Sequence, residues 1–182
     1  TDGKPPSLNS PKYVSPIPIT KTTTLKAGTF GKSKALGKAM AVQYTIHKAI
    51  GKSYIMGSKP EQYTGGDEFA LTNGVSGGIK TWNNWVGLVN RNIDPVIDFG
   101  QPTAFGKVTF NFVNAKASWI WPPTAAELYG SDDGTNFKLL SSKSIDTESL
   151  EGATVEKVTL DAPNAKVRYL KLLVKAYGII PK

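Results

Sequence analysis

Apolar and polar residues alternate along this chain in short runs, and no run keeps the 3.6-residue period of a helix. Thr22-Thr23-Thr24-Leu25-Lys26-Ala27 predicts a short strand, because β-branched side chains fit a pleated surface. Met40 to Ile46 alternates and predicts a second, half-buried strand. Between them and the start of the chain, Ser15-Pro16-Ile17-Pro18-Ile19-Thr20 holds too much proline for a central strand. Further on, Pro95 to Phe99 is an apolar run ending at Gly100, and Lys107 to Asn114 places Val108, Phe110 and Phe112 on one face. Residues 125–130 and 137–142 flank Ser131-Asp132-Asp133-Gly134, a hairpin turn. Thr154 to Leu160 and Val167 to Val174 complete the set. Strands at this spacing, with turns between them, predict an all-β antiparallel sandwich or barrel. His47 to Gln62 has little apolar periodicity and reads as a connection. The boundary near 47–52 divides the chain into a small β module, 1–46, and a sandwich, 47–182.

Charge sharpens that division. The chain has 182 residues and a formal net charge of +8. Residues 1–50 hold eight lysines against the single acid Asp2, whereas 51–182 are nearly balanced, with 14 basic and 13 acidic residues. The lysines stand singly in Thr- and Gly-rich sequence, whose aromatics are Tyr13, Phe30 and Tyr44. A nucleic-acid face would interleave basic and stacking residues, so none is expected. With no cysteine and one histidine, a disulfide framework, a thiol nucleophile and a His-rich metal site are excluded. No apolar run approaches a membrane span.

No catalytic constellation emerges. Gly65-Gly66-Asp67-Glu68-Phe69 spells a diguanylate cyclase signature, but the helix–strand alternation and upstream acids of such a domain are missing. His47 has no nucleophile elbow to serve. The features that remain are four tryptophans: Trp82 and Trp85 in Lys80-Thr81-Trp82-Asn83-Asn84-Trp85, and Trp119 and Trp121 in Ser118-Trp119-Ile120-Trp121-Pro122-Pro123. An indole face stacks on the C–H face of a pyranose, while neighbouring amides and cations hydrogen-bond the hydroxyls. Trp85 and Trp119 directly enter strand segments and are expected in the core. Trp82 and Trp121, nearer the loop tips, are the expected platforms, with Lys80, Asn83, Asn84 and Arg91 as donors and acceptors.

Ordered pieces from about residue 47 onward resemble a discoidin domain, the coagulation factor 5/8 C-terminal type. They are Ala70-Leu71-Thr72-Asn73-Gly74, Trp85-Val86-Gly87, Val96-Ile97-Asp98-Phe99-Gly100, Trp119 to Pro123, Tyr129 to Phe137 and Val167-Arg168-Tyr169-Leu170-Lys171. The resemblance implies a jelly-roll-like, galactose-binding-domain-like sandwich. It also implies similarity to family 32 carbohydrate-binding modules, which recognise galactose or N-acetylhexosamine end groups. Asp2-Gly3-Lys4-Pro5-Pro6, Ser10-Pro11-Lys12-Tyr13, Pro16 to Ile19 and Thr22 to Ala27 resemble part of the chitobiase/β-hexosaminidase C-terminal module, lacking its first strand or two.

The pairing resembles the end of family 20 β-N-acetylhexosaminidases of Bacteroidetes. It implies a non-catalytic tail, exported to the periplasm or cell surface, with a glycan and the parent's catalytic domain as partners. The family usually places Asp, a structural-calcium ligand, where Asn73 stands. Asn keeps an oxygen but loses the charge, which weakens a hard-cation site. A competing expectation is a module that packs on the catalytic domain without binding sugar. A third is an anionic surface held by lysines 4–48, which salt would disrupt.

Overall fold

The computed structural model describes residues 3–66 and 68–180, so Thr1, Asp2, Asp67 and the last two residues lie outside the description. Nine strands follow one another: β1 (Thr23–Ala27), β2 (Met40–Tyr44), β3 (Tyr54–Ile55), β4 (Tyr63–Thr64), β5 (Val86–Gly87), β6 (Val96–Asn114), β7 (Ala125–Ser131), β8 (Lys138–Ser144) and β9 (Thr154–Lys175). The described residues contain no α-helix, only single 3-10 turns at Trp82–Asn84 and Lys116–Ser118. No helix among them is long and apolar enough to cross a membrane.

The main sheet runs β3-β6-β9-β7-β8 with every pair antiparallel, while β1-β2 and β4-β5 form two small sheets. The architecture is an antiparallel β-sandwich. Four segments that the sequence separates are in fact two long strands. The runs 95–99 and 107–114 join as β6, and 154–160 and 167–174 join as β9. Two register shifts fold this pair. Between Asp98 and Thr103 of β6 four residues face Arg168 alone, and between Ala165 and Asp161 of β9 three residues face Gly106 alone. Gly100 (φ 82°) lies in the first bulge, and Pro163 with Asn164 (φ 63°) in the second. Extra residues bend the strand that carries them, so two bulges on opposite partners let one strand pair contribute to both layers.

The core gathers where these bends bring the layers together, around Phe99, Ala126, Leu128, Leu160, Ala162 and Leu170. Leu128 and Leu160 are almost wholly buried, a stabilisation of about 1.5–3 kcal/mol each.

The segment expected to be a connection is built into this body. Ala49 packs on the core, Gly51 N donates to Thr72 O (3.0 Å), and Thr72 Oγ1 donates to Lys52 O (2.6 Å). Lys52 Nζ reaches Phe99 O at 3.3 Å, and Lys48 Nζ bonds Ala104 O. A main-chain bridge between Tyr44 and Val75, with Thr45 N donating to Gly74 O (2.8 Å), ties β2 to the sandwich. By contrast, none of residues 3–50 is buried, and Tyr13, Val14, Leu36 and Met40 stand exposed.

Candidate functional site

Trp85 organises the first aromatic loop. Its Nε1 donates to Gly78 O (3.1 Å), and its indole fits so closely that a Cβ on Gly77 would meet the ring at 2.5 Å. Gly78 N donates to Thr81 Oγ1 (2.5 Å), Thr81 N to Gly78 O (3.0 Å), and Asn84 N to Thr81 O (3.0 Å), winding the chain into one 3-10 turn. The turn lifts Lys80, Trp82, Asn83 and Asn84 together into solvent, with Trp82 38% exposed. The side chains of Lys80, Asn83 and Asn84 make no hydrogen bond among the described residues, so their donors and acceptors are free.

The second aromatic loop differs from expectation. Trp121 is half-buried. Its ring centroid lies 4.7 Å from that of Tyr177, at 50°, and the Lys116 ammonium lies 5.8 Å from it. Its Nε1 is buried without a partner. Lys116 Nζ also donates to Thr147 O (2.6 Å) and Leu150 O (3.4 Å), and Tyr177 OH donates to Glu148 Oε1 (3.1 Å). Burial and that bond push the Tyr177 phenol up from its ordinary pKa. Trp121 therefore lies inside a cluster of three chain segments. Trp119, expected in the core, is instead 76% exposed. The reason is local: Trp119 takes a left-handed conformation (φ 61°, ψ 21°), which breaks the two-residue alternation that would place 119 and 121 on one face.

Arg91 is exposed and makes no hydrogen bond through its side chain among the described residues. Its neighbour Asn92 accepts from Ala176 N (2.9 Å), next to Tyr177, so Arg91 lies along the chain from the Trp121 cluster. Lys80, Trp82, Asn83 and Asn84 thus form one group, and Trp121 with Tyr177 and Lys116 another. No ring contact or hydrogen bond joins Trp82 to Trp121 among the described residues. Sequence reasoning missed Trp119, Lys116 and Tyr177. The available signal was Asn114-Ala115-Lys116-Ala117-Ser118, small and polar residues suited to a tight turn ending at the indole.

Asn73 Oδ1 accepts from Val75 N (2.9 Å), an Asx turn beside Gly74. Its oxygen is already engaged and uncharged. No group of three or more His, Cys, Asp or Glu converges among the described residues. These residues do not fit a calcium site built on the Asn73 side chain.

Two family models match the chain. The chain belongs to the F5/8 type C domain family, whose model matches residues 55–180. Residues 1–41 match the chitobiase/beta-hexosaminidase C-terminal domain. Neither domain is a catalytic fold. No curated protein is significantly similar in sequence. Among solved structures, the C-terminal domain of a chitobiase from Bacteroides fragilis is similar over 69% of this chain and 83% of its own, with 14% identity and a TM-score of 0.44. CpGH89CBM32-5 from Clostridium perfringens, in complex with GalNAc-β-1,3-galactose, is similar over 68% and 83%, with 18% identity and a TM-score of 0.44. CBM32-3 from a family 31 glycoside hydrolase of Clostridium perfringens is similar over 68% and 76%, with 11% identity and a TM-score of 0.43.

Proposed function

We propose that the sandwich is a glycan-binding module serving an exported glycoside hydrolase of the chitobiase kind, acting at the periplasm or cell surface. The observation that carries the reading is the Trp82 loop, an exposed indole among side chains with unused donors and acceptors. Trp82 is the platform for a galactose or N-acetylhexosamine end group, and Lys80, Asn83 and Asn84 bond its hydroxyls. Trp121 belongs to the second cluster, with Tyr177 and Lys116, where it supports rather than stacks, and Arg91 remains an exposed donor outside both groups. Membership in the F5/8 type C family and the chitobiase-type segment before it both support this reading. Binding would hold the parent enzyme at its substrate by raising local concentration, with no chemistry in the module itself.

Calorimetric titration of the chain with galactose, N-acetylgalactosamine and N-acetylglucosamine tests the proposal. Saturable heat with any of the three supports it. No heat at millimolar sugar overturns it. A second reading, packing against the parent's catalytic domain, has support at the N-terminal module, where Tyr13, Val14 and Leu36 expose apolar surface without a core beneath.

A further inference from the structure

The β1–β2 hairpin ends in a closed tip. Beyond the strands, Phe30 and Ala35 form a bridge, Leu36 N donates to Thr29 O (2.8 Å) and Gly31 N to Lys34 O (2.8 Å). Side chains brace it: a Cβ on Gly31 would meet Leu36 Cδ2 at 3.3 Å, and one on Gly28 would meet the Phe30 ring at 3.1 Å and Pro6 Cγ at 3.2 Å. This braced tip carries Lys32 and Lys34, with Lys38 on the returning chain, and every residue from 32 to 41 is exposed.

Like charges held close repel one another, and a nearby acid is the ordinary relief. Here there is none. Residues 3–50 contain no Asp or Glu. Lys12, Lys21, Lys32, Lys34 and Lys38 make no hydrogen bond or ion pair among the described residues. Lys26 and Lys48 bond the carbonyls of Gly3 and Ala104, which leaves their charge uncancelled. Folding does not require this unrelieved charge, so an anionic partner is its natural complement.

The spacing and composition of the module select the kind of anion. Lys21 stands before β1 and lines, with Ile17 to Thr20, Thr23 and Leu25, a groove of about 190 Å³. The strand between it and the tip is about 17 Å of extended chain. A single small anion cannot touch both ends, whereas a polymer with a charge on each repeat can. Arginine, suited to bidentate contact with phosphate and guanine, is absent from residues 1–50. Phe30 and Tyr44 are half-buried, so nucleic-acid bases find no row of platforms. Leu36 is the one large apolar side chain between 32 and 39, too little for the core of a protein interface or for insertion into lipid. A second copy would bring the same charge. Flexible, hydrated ammonium groups suit carboxylates or sulfates along a hydrophilic chain.

We propose that the β1–β2 module binds a linear acidic polysaccharide through Lys21, Lys32, Lys34 and Lys38, while the sandwich takes an uncharged end group. The choice of a polysaccharide among polyanions rests on the glycan-binding reading above. The test is affinity for hyaluronan, whose charges are carboxylates, for chondroitin sulfate, which adds sulfates, and for neutral dextran. It compares the wild-type chain with Lys32→Gln/Lys34→Gln/Lys38→Gln and with Lys138→Gln/Lys143→Gln/Lys157→Gln, exposed lysines of the sandwich. Both variants lower the net charge equally. The expected result is binding to at least one acidic polymer and none to dextran. The tip variant should lose roughly tenfold in affinity with a shallower salt dependence, and the sandwich variant should stay near wild type. Equal losses in the two variants, or no binding of either acidic polymer by the wild type, overturn the proposal. Tighter binding to duplex DNA or to phosphatidylserine vesicles at equal charge concentration overturns it as well. Titration with the methyl glycoside of N-acetylgalactosamine reads the sandwich separately. Unchanged sugar binding in a chain that ignores the acidic polymers overturns the module's role and leaves the end-group reading standing.

Discussion

Arg168 grips Asp98 with two prongs, Nε donating to Oδ1 at 3.0 Å and Nη2 to Oδ2 at 2.9 Å. Arg168 is the one residue of β9 facing the four-residue bulge of β6, and Asp98 is the last paired residue before it. The carboxylate also accepts from Gly100 N (2.7 Å) inside the bulge. The pair thus fixes the bend that lets β6 serve both layers.

This pair sets a pH dependence. Hydrogen bonding from Arg168, then from Gly100 N, lowers the Asp98 pKa to about 2. The Asp133 carboxyl is likewise held well below the usual range, by Asn136, Thr135 and Ser131, which close the β7–β8 turn around it. A depressed carboxyl contributes stability above its unfolded value of about 4, and loses it as pH falls towards the folded value. The urea midpoint should therefore be flat above about pH 4 and fall steadily below it. Asp98→Asn with Asp133→Asn should flatten the acid limb. An acid limb of equal slope in the double variant would refute the assignment. Both carboxylates face solvent, so the effect is modest and shrinks with salt.

Lys116 acts as a built-in cation for the 145–152 loop. Its ammonium holds the carbonyls of Thr147 and Leu150 and lies against Trp121. Lys116→Met keeps the stem but leaves both carbonyls without that donor, at an expected cost of about 1–3 kcal/mol. Amide exchange should rise at residues 147–152 ahead of the core strands. Unchanged protection there would show that the loop holds itself.

Gly74 has φ 75°, and a Cβ on it would meet Thr45 O at 2.5 Å and Ile50 Cδ1 at 2.6 Å. Gly152, at φ 64°, has open space around it. Gly152→Ala should cost about 1–2 kcal/mol, the left-handed penalty alone. Gly74→Ala should cost more and open the Tyr44–Val75 bridge, read as new proteolytic cleavage between residues 45 and 52. Equal costs would mean that the contact with Thr45 yields freely.

Calcium should matter little to the wild-type chain, since the Asn73 oxygen already closes a turn. The Tm should be the same in millimolar calcium and in chelator. Asn73→Asp should acquire a calcium-dependent rise if charge is the missing element.

The strands were legible in the sequence wherever alternation was regular. β1, β2, β7 and β8 fall within a residue or two of their expected spans, and Asp133 makes the expected hairpin turn. The apolar run from Pro95 reads as ending at Gly100, and the segments 100–106 and 161–166, which hold Gly106 and Pro163, fall between the expected strands. They are bends within β6 and β9, a distinction set by long-range pairing that no local window contains. β3, β4 and β5 are two residues each and leave no period to detect. The shared exposure of Lys80, Trp82, Asn83 and Asn84 could be expected because the residues are contiguous in one turn. The exposures of Trp119 and Trp121 could not, since one left-handed residue exchanges which indole faces out.

The main-chain bridge at Tyr44–Val75 bears on how such a module would be used. A module on a slack leash contributes reach, and every added residue of leash dilutes it. Here the chain enters the sandwich through paired backbone, packed Ala49 and lysines anchored on Phe99 and Ala104. What such a joint would convey is bearing as well as reach, since paired backbone and anchored side chains leave the entering chain fewer ways to swing.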